Sequence, residues 1–222
     1  MAQTFRSFQQ AGKRAMAMQE TMRDTDLQAF LDELKAAIER RAPDGSAPAK
    51  AATRAFAALS QAGEAADPTP EQAPAAANCL PAALAAAADG PTGDLARAFA
   101  TIAPRLAWRT RPDRSTADPD FARAHAGAVI VGDGGLEART DVRIGASLLA
   151  PRTYYPNHHH PPEEVYVALS TGCWRQDAGP WREPGPGRLI YNPPDILHAM
   201  HSKAEPLLAI WTLPIDAKEA QP

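Results

Sequence analysis

The sequence predicts an α+β fold, with helices in the first half of the chain and a β-sandwich or small β-barrel in the second half. Two observations predict this division. Apolar residues recur at helical spacing in the alanine-rich segments before residue 104. From Phe121 onward, short apolar segments alternate with clusters of glycine and proline, as expected for several short strands.

The most regular helical pattern lies between Thr25 and Arg41. Thr25-x-x-Gln28 resembles a capping box, and Pro43 lies just beyond the end. The apolar residues at helical spacing are Leu27, Phe30, Leu31, Leu34, Ala37 and Ile38. Further helices are predicted for residues 47–62, 81–88 and 93–103. Alanine-rich helices bury little area each, so we expect these to pack on the strand-rich half.

Candidate strands follow in the second half, and Asp133-Gly134-Gly135 between the first two is typical of a hairpin turn. The candidates are residues 128–131, 142–149, 164–169, 173–177, 188–191 and 207–213. We expect a helical region at 1–108, a linker rich in charge and proline at 109–120, and a barrel at 121–222.

Composition agrees with a soluble enzyme. The net charge of −3 and the pI near 6.1 give no electrostatic basis for binding nucleic acid or an anionic membrane. No apolar targeting segment follows Met1, and no stretch approaches the roughly 18 apolar residues of a membrane span. Cys79 and Cys173 show no disulfide framework, so a reducing cytoplasm is the expected location.

The run from His158 to Tyr166 contains the densest set of metal-ligating side chains. Residues two apart on an extended strand share a face, so His158 and His160 can converge while His159 points away. Pro161-Pro162 forces a turn, after which Glu164 and Tyr166 share a face of the next strand. The alternation thus selects an inward-facing set, and Glu163 should point outward into solvent.

A second segment supplies another histidine. A short strand after Gly187 ends at the turn Pro193-Pro194-Asp195, and His198 follows on the next extended stretch. Two or three imidazoles and a carboxylate suit one divalent ion of zinc, iron(II), manganese or nickel and leave positions open for substrate. The sequence does not choose among these metals.

Both segments resemble the motifs of the cupin superfamily. His158-x-His160-x3-Glu164, closed by Gly172, is similar to the first cupin motif, and Gly187-x5-Pro193-x-Asp195-x2-His198 is similar to the second. One extra residue precedes Gly172, and Asp195 stands in place of the usual glycine. The resemblance implies a cupin β-barrel, that is, a double-stranded β-helix or jelly roll, over roughly the last ninety residues. Cupins support many chemistries, so the fold alone does not give the function.

A narrower resemblance is to the cupin-type dimethylsulfoniopropionate lyases, in particular the longer L-type branch. It rests on Tyr166 two places after Glu164, on Tyr154-Tyr155, on Tyr191, on Pro194-x3-His198-Ala199-Met200 and on the long helical N-terminal region. The resemblance implies cleavage of dimethylsulfoniopropionate to dimethyl sulfide and acrylate with Tyr166 as the base. The metal ligands that it implies are His158, His160, Glu164 and His198.

The chemistry of β-elimination fits these residue types. The enzyme must neutralise a carboxylate and remove a weakly acidic proton beside it. A metal ion neutralises the carboxylate, and a nearby dication can activate a tyrosine, whose ordinary pKa of about 10 otherwise makes it a poor base. The sulfonium group of such a substrate favours aromatic surroundings. The aromatic residues available for this substrate binding are Trp108, Tyr154, Tyr155, Trp174, Tyr191 and Trp211.

Two other functions use the same motifs. A cupin dioxygenase would hold iron(II) in the same ligands, and its activity would require oxygen. A non-catalytic cupin would sense a small ligand or metal and would tolerate Tyr166→Phe.

Single residues also have structural alternatives. Tyr166 could be a core tyrosine, and Tyr191 could pack beneath the Pro-Pro turn. His125 and His201 have no partner pattern. Cupins often pair through strands, so a homodimer is compatible with the sequence.

Overall fold

A computed structural model of the chain describes residues 22–68, 73–110 and 119–216. Helices dominate the described residues before Arg109, and the predicted α+β class is confirmed. The helices are α1 (Thr25–Glu39), α2 (Ala47–Ala58), α3 (Leu80–Ala88), α4 (Gly93–Ile102) and the short α5 (Pro119–Ala124), with 3-10 turns at Ala75–Cys79 and Ala103–Arg105. Each of the four predicted helices is present with ends within a few residues of the prediction.

Helix α1 begins one residue earlier than the capping box predicts. Asp24 is the N-cap, and its carboxylate accepts a hydrogen bond from the backbone N–H of Leu27 at 2.9 Å. Gln28 donates to Asp32 instead of closing a capping box. The apolar face of α1 is buried as predicted, because its residues at helical spacing all lie in the core.

Ten strands form two sheets within the described residues. The strands are β1 (Glu64–Ala65), β2 (His125–Val131), β3 (Glu137–Ala138), β4 (Val142–Leu149), β5 (Tyr154–His158), β6 (Glu164–Ala168), β7 (Cys173–Gln176), β8 (Leu189–Asn192), β9 (His198–His201) and β10 (Leu207–Pro214). The larger sheet has the order β1-β3-β2-β4-β10-β6-β8, and the smaller has the order β5-β9-β7. The two sheets face each other across an interior cluster to which both contribute, as the predicted barrel requires.

The side chains of β6 divide between two environments. Val165 and Val167 pack in the core that joins the large sheet to helices α1 to α4. Tyr166 and Ala168 face the interior cluster between the sheets. The period of two in the sequence therefore separates the helix-facing side of the strand from the interior side, as predicted. The helices cover the outer face of the large sheet and leave its inner face to the site.

Two of the strands that carry the site, β5 and β9, are missing from the predicted set. β5 contains Pro156, and β9 contains two histidines, so neither shows a clean apolar alternation. The Asp133-Gly134-Gly135 turn exists, but the hairpin prediction is wrong, because β2 and β3 pair in parallel at Val131 and Glu137 and β2 pairs antiparallel with β4.

The division into helical region, linker and barrel stays a prediction. Residues 111–118 of the predicted linker lie outside the described residues. At the start of that linker, Arg109 exchanges backbone hydrogen bonds of 2.8 and 2.7 Å with Gly127 of β2. Helices and large sheet share one hydrophobic core. Among the described residues, no helix is long and apolar enough to cross a membrane.

Candidate metal centre

Three of the predicted metal ligands converge in the interior between the sheets. His160 lies in the connection after β5, Glu164 begins β6, and His198 begins β9. The ligand atoms that these residues offer all lie within 4.8 Å of one another. Glu164 and His198 are buried, and His160 is partly buried. The three donors therefore come from both sheets, and His160 is the most exposed of them.

Backbone carbonyls fix the orientation of the imidazoles. Nδ1 of His160 lies 2.8 Å from the carbonyl oxygen of Pro162, and Nδ1 of His198 lies 2.9 Å from that of Ile196. A carbonyl oxygen can only accept, so Nδ1 must carry the proton in both rings. Nε2 of each ring then faces the Glu164 carboxylate. A protonated ring interacts with the carboxylate as a cation, and a neutral ring offers the Nε2 lone pair to a metal ion, as metal-binding histidines do. The donor set of two imidazoles and a carboxylate fits a divalent transition metal.

The Glu164 carboxylate is held as an anion. Burial alone would raise its pKa, but the hydrogen bond and charge interaction with His160, together with His198 and Asn192, outweigh the burial and lower its pKa below the ordinary value. Its Oε2 lies 3.5 Å from Nε2 of His160 and 3.4 Å from Nε2 of His198. A deprotonated carboxylate between two imidazoles is ready to bind a cation.

Asn192 and Gln176 also belong to the site, although no motif in the sequence singles them out. Asn192 lies directly opposite Glu164 in the β6–β8 pairing, and its Nδ2 donates to Glu164 Oε2 at 2.8 Å. Gln176, opposite His198 in the β7–β9 pairing, donates to Asn192 Oδ1 at 2.8 Å. These contacts depend on strand register, which cannot be read from one sequence, and Asn192 carried no signal beyond its position before Pro193.

His158, the fourth predicted ligand, is beside the group of three but is not a member of it. Its ring centroid lies 4.0 Å from that of His198 and 6.4 Å from that of His160. It stacks on Tyr155 with centroids 4.2 Å apart, and its Nδ1 lies 3.0 Å from the carbonyl oxygen of Pro156. The β5–β9 pairing shifts register between Tyr155 and His158, and His158 lies directly opposite His198. Coordination by His158 stays a proposal.

The turn before His198 explains the departure from the second cupin motif. Asp195 has a φ of 58°, in the left-handed region that a glycine would enter freely. Aspartate tolerates this region better than most side chains. The backbone N–H of Asp195 donates to the carbonyl oxygen of His160 at 3.0 Å. Asp195 thus adopts the backbone conformation expected of the missing glycine, and its hydrogen bond links the two segments that carry the ligands.

Half of the predicted substrate-binding aromatic residues lie at the interior. Tyr155 and Trp174 belong to the interior cluster together with Tyr166, and Trp211 packs against it. Trp211 lies across from Tyr166 in the β6–β10 pairing and covers Gly145 of β4. A Cβ atom on Gly145 would lie 2.1 Å from the indole ring, so glycine is required there.

The other three predicted aromatic residues lie elsewhere. Trp108 is buried among the helices, contacts Phe99 edge-on and donates its indole N–H to the carbonyl oxygen of Ala103 at 3.1 Å. Tyr154 is 46% exposed on the outer surface, because it alternates with the buried Tyr155. Tyr191 packs against the helix-facing core, because it pairs with Val165. These environments do not support their assignment to substrate.

Glu163 is not solvated as predicted. Its carboxylate is 11% exposed, forms an ion pair with Arg54 of α2 and accepts a hydrogen bond of 2.7 Å from the Tyr191 hydroxyl. His159 is exposed, as predicted, near Asp195. His125 lies in a ring stack with Phe121 and Tyr155, whose centroids are 4.9 and 5.0 Å away.

Comparison with known proteins gives a family match over most of the chain. Residues 47–209 match the family model described as dimethylsulfoniopropionate lyase. The chain is 29% identical over 104 residues to the dimethylsulfoniopropionate lyase DddQ of Ruegeria pomeroyi. The aligned region covers 46% of this chain and 52% of that protein. It is 32% identical over 133 residues to DddL, a Cereibacter sphaeroides protein named for the same activity. This second aligned region covers 60% of this chain and 55% of that protein. The chain thus spans about half the length of these curated relatives.

Solved structures resemble the fold over nearly its whole length. The crystal structure of the lyase DddQ from Ruegeria pomeroyi matches with a TM-score of 0.67 at 25% identity, covering 88% of this chain and 94% of that chain. A second structure, from a study of the lyases RdDddP and RnDddQII, matches with a TM-score of 0.67 at 21% identity and covers 89% and 95%. The helical layer is therefore part of the shared fold, together with the two sheets.

Proposed function

Because the chain belongs to the dimethylsulfoniopropionate lyase family, we propose that it cleaves dimethylsulfoniopropionate to dimethyl sulfide and acrylate. The observation that carries the proposal is the convergence of His160, Glu164 and His198 in a buried interior that also contains Tyr166. The elimination requires groups that bind the substrate carboxylate and remove a proton. Candidates for both lie within this one cluster.

His160, Glu164 and His198 would hold the metal ion, with His158 as a further proposed ligand. When bound, the ion supplies Lewis-acid neutralisation of the substrate carboxylate. Zinc, iron(II), manganese and nickel all suit this donor set. Glu164 and His198 are buried, so bulk water has little access to these two ligands.

Tyr166 would act as the base. Its side chain shares the interior face of β6 with Glu164, since the two residues are two positions apart on the strand. The ionised phenol oxygen takes the proton from the carbon beside the substrate carboxylate. The electron pair of that C–H bond forms the double bond of acrylate, the C–S bond breaks, and dimethyl sulfide leaves with the electrons of that bond.

Aromatic rings would surround the sulfonium group. Tyr155 and Trp174 are almost fully buried in the interior cluster, and Trp211 lies at its edge. A sulfonium cation has no hydrogen-bond donor, so the negative faces of aromatic rings are its most favourable neighbours. Of the six aromatic residues that the sequence predicted for substrate binding, we propose these three.

The reaction type can be tested by proton NMR of dimethylsulfoniopropionate incubated with metal-loaded protein under argon and under air. An elimination consumes no oxygen, so the vinyl signals of acrylate and the methyl signal of dimethyl sulfide should appear in equal amounts and at equal rates in both atmospheres. Oxidised products formed only under air would support a dioxygenase instead. Unchanged substrate with each of the four metals would contradict the proposed function.

A further inference from the structure

We propose that Asn192 and Gln176 are positioning residues that fix the Glu164 carboxylate in its metal-binding orientation. This inference rests on the proposed metal centre. It assigns a role to two residues that neither bind substrate nor coordinate the ion themselves. Both lie in the described part of the chain and are hydrogen-bonded in series to Glu164.

The series begins at a backbone carbonyl and ends at the carboxylate. Gln176 Nε2 donates to the carbonyl oxygen of Tyr191 at 2.6 Å and to Oδ1 of Asn192 at 2.8 Å. Asn192 Nδ2 in turn donates to Glu164 Oε2 at 2.8 Å. The distances are those of well-formed hydrogen bonds.

The Tyr191 carbonyl determines the direction of every bond in the series. A carbonyl oxygen cannot donate, so the amide nitrogen of Gln176 must face it. That nitrogen also faces Asn192, which must present its own oxygen there and its nitrogen to Glu164. A reversed Asn192 would place two acceptor oxygens against each other. One backbone group thus selects the orientation of both amides.

The series also joins the two sheets at the site. Gln176 lies on β7 of the smaller sheet, directly opposite His198. Asn192 lies on β8 of the larger sheet, directly opposite Glu164. The bond between the two amides therefore spans from one ligand-bearing sheet to the other. Because the three donors come from both sheets, their separation depends on such a connection.

Burial makes this arrangement consequential. Asn192 is 1% exposed and Glu164 is 3% exposed, so water cannot readily replace the amide. Hydrogen bonds in such an environment are electrostatically stronger than at the surface. Removing an outer partner of a metal ligand typically weakens metal binding by roughly 10- to 100-fold.

Zinc affinity of the metal-free protein tests the inference without any activity assay. Competition with a chelating dye would compare wild type with Asn192→Ala, Asn192→Ser, Gln176→Met and the double variant Asn192→Ala/Gln176→Met. Asn157→Ala is the matched control, since Asn157 lies exposed on β5 beside the proposed ligand His158. Thermal unfolding of each metal-free protein checks the fold, and the visible spectrum of bound cobalt(II) reports the ligand geometry.

We expect Asn192→Ala to weaken zinc binding by about 10- to 100-fold and Gln176→Met to weaken it by less, with an altered cobalt spectrum in both. The double variant should bind as weakly as Asn192→Ala alone, because Gln176 acts through Asn192. Asn192→Ser keeps a short hydrogen-bond donor, so its zinc affinity should lie between those of wild type and Asn192→Ala. Asn157→Ala should bind zinc as tightly as wild type does.

Each contrary result has its own meaning. If Asn192→Ala and Asn192→Ser bind zinc as tightly as wild type does, the inference is overturned, but the proposed metal centre is not. Additive losses in the double variant would show that Gln176 does not act through Asn192. Lower stability of the metal-free variants with an unchanged cobalt spectrum would make both residues merely structural. Wild type that binds none of the proposed metals would overturn the metal centre itself.

Discussion

Tyr166 and His198 face the same interior, but we assign them different tasks. Tyr166 would move a proton, and His198 would hold the metal ion. Replacing Tyr166 with phenylalanine removes only the hydroxyl, because Tyr166 is 2% exposed and phenylalanine fills the same space. Replacing His198 with alanine removes one of three converging donors.

We therefore expect Tyr166→Phe to bind zinc as wild type does and to lose about 10²- to 10⁴-fold in kcat, which is the usual contribution of a general base. His198→Ala should lose both metal and activity. Steady-state kinetics with metal analysis of each purified variant checks this pair. A Tyr166→Phe variant with normal turnover would exclude Tyr166 as the base.

Single residues also show how far the sequence can be interpreted. The period of two correctly places Tyr166 with the interior cluster and Val165 with the helices. It does not reveal that Asn192 lies opposite Glu164, because the pairing partner of a strand depends on the whole sheet. Asp195 matches the motif glycine in conformation, although the sequence shows only a departure.

At the scale of elements, Asp24 connects the start of α1 to the end of the helical region. Its carboxylate caps α1 and accepts two bonds of 3.1 Å from Arg105. The Arg105 hydrogen bond is the main reason that the pKa of Asp24 lies below its ordinary value of 3.8. A carboxyl group with a lowered pKa stabilises the fold above its ordinary pKa, and this stability is lost as pH falls through the lowered value.

Asp24→Asn should keep the cap but lose the charge. Since the pair is about one-third exposed, we expect a loss of only about 0.2–1 kcal/mol at neutral pH. The difference from wild type should shrink as pH falls from 3.8, where Asp24 of the unfolded chain becomes protonated, through the lowered pKa of Asp24 in the folded protein. Urea unfolding of both proteins across this pH range measures the difference in free energy of unfolding. A difference that is constant with pH would show that the charge of Asp24 does not contribute.

A second connection between elements lies behind the metal centre. Glu163 pairs with Arg54 of α2 and accepts from the Tyr191 hydroxyl, so the helical layer holds the residue next to Glu164. Tyr191→Phe should destabilise the protein by about 0.5–1.5 kcal/mol. It should change lyase activity little, because the Tyr191 ring packs towards the helices.

Denaturant unfolding and kinetics of the same Tyr191→Phe preparation separate these effects. Tyr154→Phe is the matched control, because its hydroxyl lies at the exposed surface, 3.4 Å from Arg175. A large rise in KM for Tyr191→Phe with unchanged stability would restore Tyr191 to the substrate site that the sequence predicted.

For the molecule as a whole, the sequence predicts the α+β class and the two motif segments, because helical periodicity and the spacing of histidines and prolines are local properties. The expectation that the helices pack on the strand-rich half agrees with the core that they share with the large sheet. The sequence does not predict that β5 and β9 pair. The sequence also does not separate the interior aromatic residues from Trp108 and Tyr154, because their environments depend on the packing of neighbouring elements.

Metal binding should stabilise the whole molecule, because the ligands come from both sheets. An ion at 100 times its Kd adds about 2.7 kcal/mol, which corresponds to a rise in Tm of roughly 5–10 °C for a chain of this size. His198→Ala should lose this rise, and His159→Ala, with its exposed ring, should keep it. Scanning calorimetry with and without zinc measures the change. An equal rise in all three proteins would place the stabilising ion elsewhere.

We propose above all that the chain is a metal-dependent dimethylsulfoniopropionate lyase. The decisive experiment is headspace gas chromatography of dimethyl sulfide, from metal-loaded protein mixed with dimethylsulfoniopropionate with and without a chelator. We predict release with matching acrylate that the chelator abolishes, that added metal restores and that Tyr166→Phe lacks. No release with any of the four metals, or release that the chelator leaves unchanged, would contradict it.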